Sequence, residues 1–265
     1  MSIRVEIAVQ DVTGLEVAAR AGAHRVELCV DLDHGGVTPP AELVEQCARR
    51  AASLLDAQEA RPHFDVHVLI RSRAGDGDFL GRPQEFVYTP GEIALMAEQA
   101  AASVQAGAAG VVFGALTPEG RIDLPAIEQV RDAALEAAQA SMRSVTLTAH
   151  RALDAMPDAD HRVEAVQQLL GAGFHRVLSS GGAARALDGA ADLARMVEAS
   201  EGLLDVCAGG GIRPADIGDL VRRGHVADVH LSARRRPGAP VEPDAPDTPT
   251  DPAIAAAAVD AAGAL

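Results

Sequence analysis

Carboxylates, imidazoles and guanidinium groups recur in this chain two residues apart, at or near the ends of short apolar runs. That spacing belongs to one face of a β-strand. Glu6 shares such a face with Ala8, Glu27 with Cys29, His67 with Arg71, Thr146 with Thr148 and His150, and Asp228 with His230 and Ser232. His150, His67 and Glu27 are the natural candidates for acid–base work, since imidazole and a buried carboxyl can both be tuned towards neutrality. Arg71 and Arg151 suit a carboxylate or phosphate. Asp154, three residues on, would orient Arg151 or His150. For any one of these groups the alternative is an internal ion-pair or hydrogen-bond network, because buried charges must be matched by something.

The elements that position these groups are eight strand-length runs: 5–9, 26–30, 66–71, 110–114, 145–150, 175–179, 204–208 and 228–232. Alanine-rich stretches predict helices near 13–22, 40–55, 90–107, 124–141, 159–172, 183–199, 213–224 and 252–264. Strand alternating with helix eight times predicts a single-domain α/β fold, a parallel (β/α)8 or TIM barrel. The faces opposite the polar ones are aliphatic (Val5, Ile7, Val26, Leu28, Val66, Val68) and should pack against the helices, so the polar faces should point to the barrel axis. In this fold the working residues gather at the C-terminal ends of the strands.

A phosphate site is expected after strands seven and eight. The phrases Gly209-Gly210-Gly211 and His230-Leu231-Ser232 follow or end those strands, and Ser180-Gly181 after strand six adds donors. Glycines permit close backbone approach to an anion, although they also make tight turns. Arg71, Arg73, Arg151 and Arg234 give a locally positive mouth to a chain whose net charge is −15. That net charge, one Tyr and no Trp argue against a nucleic-acid partner. A small anionic ligand fits better. Lysine is absent from the sequence, which excludes Schiff-base aldolase chemistry and pyridoxal-phosphate attachment.

The 265 residues include three widely spaced cysteines, no apolar run of membrane length and no room for a signal peptide, so a cytoplasmic protein is expected. The sharp zinc motifs are missing. Glu27, His67, His150 and His230 could converge on a divalent ion at the mouth, and Cys29 is either a soft ligand for Cu(I) or an inert buried thiol. The barrel is expected over 1–236, a proline-rich acidic linker over 237–252 and a closing helix over 253–265. The long loop from Arg71 to Tyr88 reads as a lid.

Together these segments resemble the CutC family. The phrases that carry the likeness include Gly22-Ala23-His24-Arg25-Val26-Glu27-Leu28-Cys29, Gly35-Gly36-Val37-Thr38-Pro39 and Ile70-Arg71-Ser72-Arg73 with Gly77-Asp78-Phe79. Thr148-Ala149-His150-Arg151-Ala152-Leu153-Asp154, Arg176-Val177-Leu178-Ser179-Ser180-Gly181 and His230-Leu231-Ser232-Ala233-Arg234 continue it. The resemblance runs from about residue 3 to 236. It implies a cytoplasmic, homo-oligomeric (β/α)8 barrel associated with copper homeostasis and Cu(I) binding through cysteines. It also implies a second cysteine at the position held here by Ala8, so the two-thiolate pair is lost and Cys29 is left as a lone copper ligand. The alternative from the residues themselves is a lyase- or isomerase-like enzyme acting on a small phosphorylated or carboxylated metabolite.

Overall fold

The computed structural model describes residues 3–75, 79–234 and 248–265. Its eight strands are β1 Arg4–Val9, β2 Arg25–Leu28, β3 Asp65–Leu69, β4 Gly110–Phe113, β5 Thr146–Ala149, β6 Arg176–Ser179, β7 Asp205–Gly209 and β8 Asp228–Leu231. They pair in parallel in sequence order, and β8 closes on β1. The helices are α1 Val12–Arg20, α2 Ala41–Asp56, α3 Pro90–Gln105, α4 Leu124–Ala140, α5 Ala159–Gly171, α6 Ala190–Ala199, α7 Ile217–Gly224 and α8 Pro252–Gly263. The fold is the expected single (β/α)8 barrel.

Local chemistry explains the clean starts. Thr89 caps α3 with a full capping box and Pro90 at the first helical position, and Asp123 caps α4 through Ala126 N–H. Asp11 caps α1 by accepting from Gly14 N–H at 2.6 Å, and Thr248 Oγ1 donates to the same carboxylate at 3.0 Å. The closing helix thereby meets the first unit, and α8 packs on α1 and β1. The expected linker over 237–252 falls largely outside the described residues. Its last part forms a bridge from Thr250 to Arg234.

Two helices start later than the alanine pattern suggests. α6 begins at Ala190 rather than near 183: Gly181 and Gly182 adopt positive φ, and the turn after β6 passes so close to Gly189 that a Cβ at Gly181 would strike the Gly189 carbonyl. α7 begins at Ile217, after a 3-10 turn over Pro214–Asp216.

The aliphatic strand faces are buried against the helices, as Val5, Ile7, Val26, Leu28 and Val68 show. Inside the barrel the packing is ionic. Glu6 and Asp228 form a four-charge cluster with Arg25 and Arg176. Arg176 Nη1 lies 2.9 Å from Glu6 and its Nη2 3.0 Å from Asp228, while Arg25 reaches Glu6 at 3.1 Å and Asp228 at 2.6 Å. Two like phrases supply the arginines, Ala23-His24-Arg25-Val26 and Phe174-His175-Arg176-Val177. In both, the histidine Nδ1 accepts a backbone N–H from the preceding strand, Val5 at 3.1 Å and Leu147 at 3.0 Å.

Candidate active site at the C-terminal mouth of the barrel

Above the ionic cluster lies a cavity of about 350 Å³, lined by Glu27, Arg71, His150, Arg151, Gly210, Gly211, His230 and Ser232 among others. These groups come from the ends of β2, β3, β5, β7 and β8, so the polar strand faces do converge on one mouth.

His230 stands between two carboxylates. Its Nδ1 is 2.8 Å from Glu6 Oε1 and its Nε2 is 3.6 Å from Glu27 Oε2. Burial alone would push the imidazole towards neutrality, but Glu27 and the Glu6 hydrogen bond outweigh it and raise the pKa. Glu6 is buried too, yet Arg176, His230 and Arg25 hold it well below the usual carboxylate range. Glu27 moves the other way. Burial raises it, the neighbouring Glu6 adds to the shift, and His230 only partly offsets them. Two glutamates in one barrel are thus driven apart, Glu6 held as an anion and Glu27 raised above the ordinary carboxylate range.

His150 is a different histidine. Its Nδ1 accepts Ala152 N–H at 3.2 Å, which fixes the tautomer with the proton on Nε2. That Nε2 is buried without a partner among the described residues. Burial, with Arg71 nearby, depresses the pKa to about 3. The ring packs on Phe86 at 5.1 Å between centroids. A Cβ at Gly114 would come within 2.9 Å of Nδ1, so glycine there makes room for the ring.

Arg71 is 4 % exposed and pairs with no carboxylate among the described residues. Its Nη1 donates to the Gly35 and Gly36 carbonyls at 3.3 and 3.5 Å, its Nε is unpartnered, and its guanidinium lies 5.3 Å from the Phe86 ring centre. Gly35 and Gly75 allow this fit, since a Cβ at either would come within 2.7 Å of the guanidinium. Arg151 is held differently. Its Nε donates to Asp154 at 2.8 Å, its Nη2 to Ser180 at 3.1 Å, and it faces Phe79 at 4.9 Å.

The remaining expected residues stand behind the lining. Asp154 is fully buried and accepts from Arg151, Ser179 Oγ and the Ser180 and Gly182 N–H groups, so it organises the loop after β6. Ser180 donates to the Ala183 carbonyl, and Gly181 donates to Ser179. The donors expected from Ser180 and Gly181 are therefore spent inside the loop. Gly209 lies within β7, where a Cβ would meet Leu178. His67 sits below the cavity with its ring against Gly110, its pKa pushed down to about 3 by burial and then by Arg176. Of the other mouth arginines, Arg73 pairs with Glu92 and stacks on Tyr88, and Arg234 pairs with Asp33 at 2.7 Å. Phe79 and Phe86 were not foreseen as lining groups; the only signal was that lone aromatics cluster in the loop after β3. Arg25 and Arg176 were not singled out either, though each shares a period-two face with Glu27 or Leu178.

A family model described as the CutC family matches residues 3–235. The chain belongs to the CutC family. It is 36% identical over 233 residues to a family protein CutC of Agrobacterium fabrum, covering 88% of this chain and 80% of that one. A family protein CutC of Rhizobium meliloti is 35% identical, with 87% and 81% covered. Among solved structures, CutC of Streptococcus agalactiae, named for copper homeostasis, superposes with a TM-score of 0.71 at 26% identity over 86% of this chain and 97% of that one.

The CutC barrel offers copper little. Cys29 is wholly buried among Leu69, Val112 and Leu32, and its Sγ lies 3.8 Å from the Val9 carbonyl. Burial, then Glu27, pushes the thiol upward, which opposes the thiolate that Cu(I) needs. Ala8, opposite Glu27 in the β1–β2 register, lines the cavity and carries no donor atom. Cys47 lies on α2 and Cys207 in β7, both buried. Among the described residues no three His, Cys, Asp or Glu side chains form a group that could hold a metal ion. No helix there is long and apolar enough to cross a membrane.

Proposed function

We propose that this CutC-family barrel is an enzyme that performs acid–base chemistry on a small phosphorylated or carboxylated metabolite. The observation that carries this reading is Arg71, a buried guanidinium in the cavity wall with no carboxylate partner among the described residues. Burying such a cation unpaired costs several kcal/mol, so its counter-charge is expected from a ligand. Gly210 and Gly211 line the opposite side of the barrel, and having no side chains they leave the backbone open to close approach by an anion. Glu27 and His230 supply the proton-transfer groups between these two ends. Soaking crystals with inorganic phosphate tests the reading. Density against Arg71 or against Gly210, Gly211 and Ser232 is expected; a vacant mouth at high phosphate would overturn it.

The copper name of the family favours a second reading, a copper binder or buffer using Cys29. Titration with Cu(I) against a competing chelator decides it. Sub-micromolar affinity abolished by Cys29→Ser would establish this role, and the buried thiol leads us to expect none.

A further inference from the structure

We propose that the reaction at this mouth is proton transfer at a carbon next to a carbonyl, with Glu27 removing the proton and the His150 Nε2–H and Arg71 holding the carbonyl oxygen. The inference rests on the anionic-metabolite reading above and specifies its chemistry.

The argument begins with the tautomer. Ala152 N–H occupies His150 Nδ1, so the ring can offer the cavity only a donor, at Nε2. A buried donor left without a partner is costly, and it is a place for an oxygen that arrives with the ligand. The group is a poor base in this setting. Its depressed pKa keeps it a neutral imidazole, which stabilises an oxyanion by donating a hydrogen bond that is better matched to an enolate than an imidazolium would be. Arg71 stands beside it. Both groups pack on Phe86, the guanidinium 5.3 Å and the imidazole 5.1 Å from its ring centre, and both line the same cavity, where the proposal seats one carbonyl oxygen against them.

The base must then be a different residue, and Glu27 is the carboxyl that lines the cavity without an arginine partner among the described residues. Arg25 and Arg176 are committed to Glu6 and Asp228. Among the described residues its one ionisable partner within 4 Å is His230, 3.6 Å away and itself anchored on Glu6. In the step, the Glu27 carboxylate takes a proton from the α-carbon. The C–H pair becomes the C=C bond, and the carbonyl pair moves to the oxygen held by His150 and Arg71. Return of the proton to the same carbon completes an exchange. Where the α-carbon carries a hydroxyl, return of the proton to the former carbonyl carbon, with that hydroxyl's proton passing to the enolate oxygen and its O–H pair forming the new C=O, completes an isomerisation. Neither outcome needs an oxidant, a reductant or a metal.

The experiment follows the protein in D2O by 1H NMR with dihydroxyacetone phosphate as the exchange probe, and measures 2-phosphoglycolate binding by calorimetry. Wild-type protein should bind 2-phosphoglycolate and speed α-deuteration at least 100-fold over buffer. Glu27→Gln should lose that acceleration while still binding the anion. His150→Gln, which keeps a side-chain N–H donor, should retain at least tenfold more exchange than His150→Phe. Binding without exchange would overturn the enolisation proposal and leave the anion site standing; absence of both would overturn the two together. Exchange that survives Glu27→Gln would remove Glu27 as the base. Should Glu27→Gln fail to fold, the wild-type pH–rate profile decides: an ascending limb governed by a group titrating above an ordinary glutamate is required, and a flat profile overturns the proposal.

Discussion

Glu6 Oε1 accepts from His230 Nδ1 at 2.8 Å, and the same carboxylate uses Oε2 to meet Arg176 at 2.9 Å. One side chain thus ties His230 at the mouth to the ionic cluster beneath it. It is 1 % exposed, and removing its charge would leave two guanidinium groups sharing Asp228 alone.

Glu6→Gln is therefore expected to cost about 3–5 kcal/mol, the range for breaking a buried ion pair from one side. Urea denaturation followed by circular dichroism measures this. A loss below about 1 kcal/mol would mean that the cluster adjusts without Glu6.

Acid should destabilise the fold well above the carboxylate range. His67 and His150 are held neutral, their pKa values lowered to about 3 chiefly by burial. In the unfolded chain they titrate near 6.5. Between those limits the unfolded state binds more protons, so their contribution is complete above pH 6.5 and is lost progressively as pH falls towards 3. His230 works in the opposite sense. Its raised pKa gives a contribution present below 6.5 and lost as pH rises through its folded value. Urea midpoints at pH 7, 5 and 4 should fall steadily, and His67→Gln should flatten the slope between pH 6 and 4.

Arg71→Met is expected to leave the melting temperature unchanged or raise it by a few degrees, because it replaces a buried cation that has no carboxylate partner among the described residues with an apolar chain of similar length. The same substitution should weaken 2-phosphoglycolate binding by more than tenfold. A large drop in stability with intact binding would make Arg71 a structural residue.

Gly110→Ala tests the seat of His67. The added Cβ would lie 2.8 Å from three ring atoms, inside a β4 position with no space to yield. A destabilisation of about 1–3 kcal/mol is expected for such overpacking. Gly91→Ala, where a Cβ meets nothing within 4 Å, serves as the neutral comparison.

Much of this was legible beforehand, for local reasons. Residues two apart on a strand must share a face, so Glu27, His230 and the aliphatic wall could be assigned before any coordinates. Alternation of strand and helix then fixed which end of the barrel to search. The β6 loop was harder. Ser180 and Gly181 have the composition of an anion site, but Asp154, placed 26 residues earlier, takes the Ser180 N–H for itself. Arg25 and Arg176 were equally hidden, since each looks like an ordinary strand residue until Asp228 is brought within 2.6 Å of one and 3.0 Å of the other.

The chain's own order of residues determined the barrel, its mouth and the absence of an amine nucleophile, because those depend on spacing and residue type alone. Only the tertiary structure decided which histidine is drawn towards the charged form and which away from it. His150 and His230 are both strand-end imidazoles, yet one closes its Nδ1 on a backbone amide and stays neutral, while the other lies between Glu6 and Glu27. Protonation follows from the groups that folding places around a side chain, and residues as far apart in sequence as His230 is from Glu6 and Glu27 cannot announce that they will meet.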